Sequence, residues 1–198
     1  MSTDSYYHIY NRGNNGETLF KEEKNYEYFL GLYKKHISPI AETYAYCLLG
    51  NHFHLLVKIR PSEELRENLK TLKLKIKKED TYLISHQFSK LFNAYSQGFN
   101  KAYSRTGSLF EKYFRRIEVK NESYFTQLVW YIHLNPQKHG FVEDFRDYPH
   151  SSYHAILSNK KTNLKRKEVV EWFGSIENVK TSHLNEMRMK NLQELILE

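Results

Sequence analysis

Hydrophobic and polar residues alternate along residues 52–60, HFHLLVKIR. Successive side chains of a strand point to opposite faces, so this segment predicts a strand with one face in the core. Residues 42–49 predict a second strand. Gly50 and Asn51 between them predict a tight turn, and the two strands therefore form an antiparallel hairpin. The apolar face carries Phe53, Leu55, Val57 and Ile59, and the other face carries His52, His54, Leu56 and Lys58.

Apolar residues recur at the helical period in three longer segments. Residues 26–37 predict a helix that ends before Pro39, and residues 84–103 predict a long aromatic helix. Residues 122–134 predict a third helix, closed by Asn135 and Pro136. Each of these helices has one apolar face to bury against a sheet.

The remaining segments give weaker signals. Residues 62–78 fit a helix through leucines four residues apart, or a strand through alternating lysines. We favour the helix, because Ser62 followed by two glutamates makes a good helix N-terminus. Residues 6–11 and 109–119 predict further strands, and short helices are expected at 151–158, 167–173 and 183–197.

This order of elements predicts the fold class. A strand, a helix, a hairpin, further helices, a strand and a helix follow one another along the chain. The pattern indicates an α+β, ferredoxin-like sandwich: an antiparallel sheet with helices mainly on one face, plus extra C-terminal helices.

Composition and charge narrow the class of protein. The chain has 198 residues, 30 Lys and Arg against 23 Asp and Glu, and a formal charge of +7. On this net charge alone, we expect a nucleic-acid partner at about even odds. Cys47 is the sole cysteine, so neither an internal disulfide nor a cysteine-based zinc site can form. The first residues lack a signal peptide and no stretch is apolar enough to span a membrane, so we expect a cytoplasmic protein.

His52 and His54 are candidate metal ligands. Residues i and i+2 of a strand point the same way, about 7 Å apart, so two imidazoles can converge on one ion. Two ordinary histidines on a half-exposed strand are the simpler interpretation of this pair alone.

Tyr131 and Asn135 lie four residues apart and share a helix face. A tyrosine hydroxyl can be a nucleophile where a metal polarises the group it attacks, and an asparagine oxygen can complete the ligands. The alternative is a core tyrosine followed by an ordinary helix stop.

Five segments together resemble one known family. GNHFHLLV at 50–57 resembles the histidine–hydrophobe–histidine motif of the HUH nucleases, and WYIHLNPQKHGFV at 130–142 resembles the tyrosine-bearing helix of the REP-associated tyrosine transposases. The resemblance covers about residues 6–155, in the family's order. The other matching segments are YHIYNRG at 7–13, RTGSLFEKYFRRIEV at 105–119 and DYPHSSY at 147–153.

The resemblance implies a single-tyrosine transposase that cuts and rejoins single-stranded DNA through a covalent 5′-phosphotyrosine intermediate. In that family pattern Tyr131 is the nucleophile, and His52, His54 and Asn135 hold a divalent metal, Mg²⁺ or Mn²⁺. Residues 1–155 would form the catalytic domain and residues 156–198 a helical C-terminal extension.

The resemblance also implies a partner, single-stranded DNA that forms a hairpin. The basic residues in segments that the family places near DNA are Arg12, Lys112, Arg115 and Arg116. A solvated charged face is the simpler interpretation of each of them singly. Whether the protein is a monomer or a homodimer stays open.

Two other functions remain as alternatives. A four-stranded sandwich with surface aromatics is also the plan of RRM-type RNA binders, which would be non-catalytic. A replication-initiating HUH nuclease with two tyrosines is the other, because Tyr124 precedes Tyr131 by seven residues.

Overall fold

The structure is a computed structural model, and it describes residues 1–73 and 76–184. Four antiparallel strands form one sheet in the order β2-β3-β1-β4. In this sheet Tyr10 lies opposite His54, and Arg12 lies opposite His52. The strands are β1 (Tyr6–Arg12), β2 (Ala41–Leu48), β3 (His52–Ile59) and β4 (Arg115–Val119).

Helices connect and follow the strands. Two short 3-10 turns, Asn14–Gly16 and Phe145–Asp147, lie between them. The α-helices are α1 (Glu23–His36), α2 (Ser62–Thr71), α3 (Asp80–Ala102), α4 (Glu122–Lys138), α5 (Tyr153–Leu157), α6 (Arg166–Phe173) and α7 (Ile176–His183). No helix within the described ranges combines the length and apolar character that crossing a bilayer requires.

The sheet separates two hydrophobic cores. The alternation of β3 is as predicted, since Phe53 and Leu55 face a core with α1, α2 and α3. Leu56 faces a second core with α4, α5, α6 and α7. The predicted α+β class with an antiparallel sheet is confirmed. Helices cover both faces rather than mainly one, because the apolar residues of α4 and the helices after it need a sheet face of their own.

The predicted strand at 109–119 is shorter in the structure. Within the predicted strand, only the part that forms β4 pairs continuously with β1. Leu109 and Phe110 are consecutive residues, and both are buried. Neighbours in a strand cannot both point into one core, so residues 109–114 form an irregular segment instead. A single bridge ties Phe110 to Gly13, whose added Cβ would lie 1.8 Å from the Glu17 carbonyl oxygen. Glycine is therefore required at the end of β1.

The predicted end of the tyrosine-bearing helix is wrong. α4 continues through Pro136 to Lys138. Proline removes one backbone N–H and usually breaks a helix. Here the Asn135 side-chain nitrogen donates to the Tyr131 carbonyl oxygen at 3.0 Å, which adds a hydrogen bond beside the proline. The helix extends one turn beyond the predicted stop.

Other predicted elements differ from the observed ones in where they begin or end. The segment 62–78 begins as the favoured helix, which ends at Thr71, and Lys73 has a positive φ of 57°. Residues 74 and 75 lie outside the described residues, as does nearly all of the expected helix at 183–197. The helix α7 was not predicted, although Ser175 gives an N-cap signal by accepting a hydrogen bond from the Asn178 amide.

A buried hydrogen-bond relay joins α4 to the C-terminal helices. The Tyr46 amide donates to Ser152 Oγ at 2.9 Å, and Ser152 Oγ lies 2.7 Å from His133 Nε2. His133 Nδ1 lies 2.9 Å from His183 Nε2, and His183 Nδ1 lies 2.6 Å from the Val179 carbonyl oxygen. Because that carbonyl only accepts, His183 carries its proton on Nδ1, and every other proton in the relay is fixed in turn.

Candidate active site

His52 and His54 lie on the face of β3 that packs against α4. Their ring centroids are 5.2 Å apart and the ring planes are at 89°. His54 is buried, whereas His52 is half-buried. The predicted pair therefore forms one compact site at the end of the sheet where the β2–β3 turn lies.

The hydrogen bond of His52 selects its ligand atom. Nδ1 of His52 lies 2.7 Å from the Asn51 side-chain oxygen. An amide oxygen only accepts, so Nδ1 carries the proton and the lone pair is on Nε2. Histidine ligands of metals are commonly held this way, by a hydrogen bond to the nitrogen that does not bind the ion.

His54 has a buried histidine as its partner. Nδ1 of His54 lies 3.0 Å from Nε2 of His8 on β1, and both side chains are buried. Burial lowers the pKa of His8 to about 3. Burial, followed by the charges of His8 and His52, holds the pKa of His54 well below its ordinary value. Both rings are therefore neutral at pH 7, and a neutral imidazole is the form that binds metal.

Tyr131 on α4 faces the histidines. Its ring centroid lies 5.5 Å from that of His54 at 86°, and 6.1 Å from that of His8 at 82°. The tyrosine is only 4% exposed. The structure thus brings the predicted nucleophile against one of the two predicted ligands, with both of these side chains buried.

Asn135 lies one helical turn beyond Tyr131. It is fully buried, and its Nδ2 is bonded to the Tyr131 carbonyl. Its Oδ1 is also buried and has no hydrogen-bond partner among the described residues. Leaving a buried oxygen unsatisfied costs about 1–3 kcal/mol, so an electrophilic partner such as a metal ion fits this atom. Its role as third ligand stays a prediction.

The described part of the chain offers no larger cluster of metal-binding side chains. Within residues 1–73 and 76–184, no group of three or more His, Cys, Asp or Glu side chains is placed to hold a metal ion. A metal centre built on the three predicted ligands would have two imidazoles and an amide oxygen, and would leave positions open for a substrate.

The chain resembles known proteins over much of its length. No family model matches it. A Haemophilus influenzae protein described as a "Putative REP-associated tyrosine transposase" is 31% identical over 115 residues, 57% of this chain and 59% of the relative. The resemblance to REP-associated tyrosine transposases is confirmed. The chain spans about three fifths of the length of this curated relative.

A solved structure is similar in fold. It is described as "Structure of the REP associates tyrosine transposase bound to a REP hairpin", and the TM-score is 0.58 at 16% sequence identity. The match covers 80% of this chain and 82% of that chain. At this identity the likeness shows the shared fold.

Several neighbours of the site were not predicted. Lys138 Nζ lies 5.0 Å from the centre of the Tyr131 ring, and the His139 ring lies 4.8 Å from that of His52. Both follow Pro136, where the predicted helix had already ended. Residues seven and eight positions after Tyr131 lie on the same helix face as Tyr131. A helix continued past Pro136 therefore predicts Lys138 and His139 as neighbours of the site. His8 and Tyr10 would follow from the alternation of β1, which puts them on one face.

The four predicted DNA-binding residues divide between the two faces of the sheet. Arg115 lies opposite Tyr10, which itself lies opposite His54, so Arg115 is on the Tyr131 face. Arg12, opposite His52, is on the same face and forms an ion pair with Glu111. Arg116 and Lys112 instead line a pocket on the other face.

Proposed function

We propose that the chain is a REP-associated tyrosine transposase that cuts and rejoins single-stranded, hairpin-containing DNA. The observation that carries the proposal is the ring of Tyr131 set edge-on against His54, with His52 beside it. The curated relative supports the family, and two of the five motifs that suggested it, those that carry His52, His54 and Tyr131, supply the residues of this site.

The donor atoms fit a divalent ion. Nε2 of His52, Nε2 of His54 and Oδ1 of Asn135 are the atoms that would hold Mg²⁺ or Mn²⁺. A metal bound there would act as a Lewis acid on the scissile phosphate and neutralise charge that develops on it.

The residues of the chain then have separate tasks. The Tyr131 hydroxyl gives up its proton as its oxygen attacks phosphorus, and it forms a phosphotyrosyl ester with the 5′-phosphate of the strand piece that lies 3′ of the cut. The bond from phosphorus to the 3′ oxygen breaks, and that oxygen takes up a proton to become a 3′-hydroxyl. Attack by a later 3′-hydroxyl on the ester reverses the step, so joining needs no nucleotide cofactor.

Access to Tyr131 requires motion. With 4% of its surface exposed, Tyr131 offers little area to a phosphate, and we expect α4 to shift or the side chain to rotate outward when DNA binds. Movements of this kind occur in microseconds to milliseconds and assemble many active sites on binding. Lys138, already near the Tyr131 ring, would bring a positive charge to the attacked phosphate.

The decisive experiment is a search for the covalent adduct. A labelled DNA hairpin with single-stranded flanks is incubated with protein and Mn²⁺ and run on a denaturing gel. The intact protein should give a shifted band, and Tyr131→Phe should give none while binding the hairpin equally well.

Tyr124→Phe is the matched control, because Tyr124 lies on the same helix. Adduct formation by Tyr131→Phe, or its loss in Tyr124→Phe alone, would reject Tyr131 as nucleophile and favour the replication-initiator alternative. Tight metal-independent RNA binding with no DNA adduct would favour the non-catalytic binding module.

A further inference from the structure

A concave site lies on the other face of the sheet from Tyr131. It is a pocket of about 420 Å³ between α3 and residues 108–116, which include the irregular segment and the start of β4, beside Asn11 at the end of β1. Asn11 pairs with Phe53, which belongs to the core of α3. The volume is in the range of about 300–1,000 Å³ that is usual for small-ligand pockets.

Three phenylalanines line the apolar part of this pocket. The Phe92 ring lies 5.2 Å from that of Phe110 and 5.3 Å from that of Phe114. Phe92 and Phe110 are buried and belong to the core around α3. Their positions are therefore fixed by packing, and the half-buried Phe114 lies against Phe92 and presents the exposed aromatic surface on which a flat ring can stack.

One wall of the pocket is polar without being charged. Ser89, Asn93 and Ser96 follow one another at spacings of four and three residues, so they share one face of α3. Hydroxyl and amide groups both donate and accept hydrogen bonds, which suits the mixed edge of a nucleobase.

The opposite rim is basic and aromatic. Tyr113 is 73% exposed, and Lys112 Nζ lies 5.4 Å from the centre of its ring. The guanidinium of Arg116 lies 5.7 Å from the centre of the Phe114 ring. Glu111 also lines the pocket, but its charge is compensated by Arg12. The rim thus offers positive charge and an exposed ring together.

We propose that this pocket binds one unpaired nucleotide of the DNA substrate. Its base would lie on the phenylalanines and against the α3 wall, and its phosphates would contact Lys112 and Arg116. Stacking on aromatic side chains combined with basic contacts to the backbone is how single strands are held. The inference rests on the proposed function and adds a second place where the strand is gripped.

The position of β4 connects this pocket to the candidate active site. β4 is an edge strand, and its consecutive residues Arg115 and Arg116 point to opposite faces. A single strand that passes around this edge can therefore contact Arg116 on the pocket side and Arg115 on the Tyr131 side.

Binding measurements test the pocket without requiring cleavage. The Tyr131→Phe protein is titrated into a fluorescent hairpin with a single-stranded flank, and each flank nucleotide is replaced in turn by an abasic one. One flank position should be sensitive. Tyr113→Ala removes the exposed ring of the rim and Asn93→Ala removes a hydrogen-bonding group of the α3 wall, and each should weaken binding of the intact flank roughly tenfold. With either variant the sensitive position should become insensitive.

Tyr82→Ala is the matched control. Tyr82 is also an exposed tyrosine, at 51%, with Lys78 Nζ 5.9 Å from its ring centre, but it does not line the pocket. Its substitution should leave binding unchanged. Equal losses with Tyr82→Ala and Tyr113→Ala, or a flank with no sensitive position, would reject the pocket. Absence of a Tyr131 adduct, with the sensitive position retained, would reject only the proposed cleavage.

Discussion

Nε2 of His8 lies 3.0 Å from Nδ1 of His54. This pairing of two buried imidazoles leaves Nε2 as the atom through which His54 would bind metal. In that state Nδ1 of His54 donates to His8, which makes His8 a positioning residue for the metal site.

His8→Ala should therefore weaken Mn²⁺ binding by about 10- to 100-fold, the usual cost of losing an outer partner of a ligand histidine. His8→Gln keeps an acceptor oxygen and should recover part of that loss. Isothermal titration calorimetry with Mn²⁺ measures both. His36→Ala, a histidine bonded to Gln87 away from the site, is the control. Unchanged affinity in His8→Ala would remove the positioning role.

Two substitutions of Asn135, one that removes its side-chain oxygen and one that makes it a charged carboxylate, test whether that oxygen is a metal ligand. Asn135→Ala removes the buried Oδ1 and should lower Mn²⁺ affinity by about tenfold, roughly 1.4 kcal/mol. Asn135→Asp replaces it by a carboxylate, a preferred ligand of Mn²⁺, and should keep or raise the affinity. The rise in melting temperature on adding Mn²⁺ reports both changes. If Ala and Asp behave alike, the oxygen is not a ligand.

Lys138 should assist the cutting step. Its ammonium lies 5.0 Å from the Tyr131 ring centre, where it can stabilise negative charge near the attacked phosphate. Lys138→Gln should slow adduct formation by about tenfold, and Lys138→Arg should retain most of the rate. Single-turnover gel assays measure this, with Lys101→Gln at the end of α3 as control. Equal rates for Gln and Arg would show that charge is unimportant there.

The buried histidines should make the fold sensitive to acid. Burial lowers the pKa of His8 to about 3 and holds those of His54 and His133 well below the ordinary value of 6.5; for His133 the charges of His183 and His154 act in the same direction. In the unfolded chain these groups titrate near 6.5. Below that pH the unfolded state binds more protons, so stability is complete above 6.5 and is lost as the pH falls.

Between pH 6.5 and its pKa in the folded protein, each of these histidines lowers the free energy of unfolding by about 1.4 kcal/mol for every unit that the pH falls. Urea unfolding between pH 7.5 and 5 should therefore show a steep loss. His133→Gln should make the slope shallower by one proton. A stability that is flat over this range would contradict the assignment of neutral buried rings.

Salt dependence can separate the predicted DNA contacts. Arg115 is exposed on the Tyr131 face, and the loss of one phosphate contact lowers the slope of log affinity against log salt by about 0.7 for a single strand. Arg115→Gln should show this change, whereas Arg12→Gln should show a smaller one because Arg12 is paired with Glu111. Fluorescence anisotropy at several salt concentrations checks it. The reverse order would assign the contact to Arg12.

Much of the fold was predictable because β3 and α3 have strong apolar periods. The convergence of His52, His54 and Tyr131 was predictable only through the family motifs, since no local pattern says which helix covers a strand. The extension of α4 was missed because proline at 136 is a helix stop by local rules, and tertiary packing overrides them. The His8–His54 contact depends on strand register, which is set by the whole sheet.

The relay of Tyr46, Ser152, His133 and His183 restricts how this sequence can change. Tyr46 contributes only its backbone amide, whereas Ser152, His133 and His183 each accept one hydrogen bond and donate another, so a substitution at any of these three leaves a buried group of its neighbour without a partner. Among descendants of this protein, Ser152, His133 and His183 should therefore be inherited or replaced together. The helix that carries Tyr131 and the helices after residue 155 would then diverge as one unit.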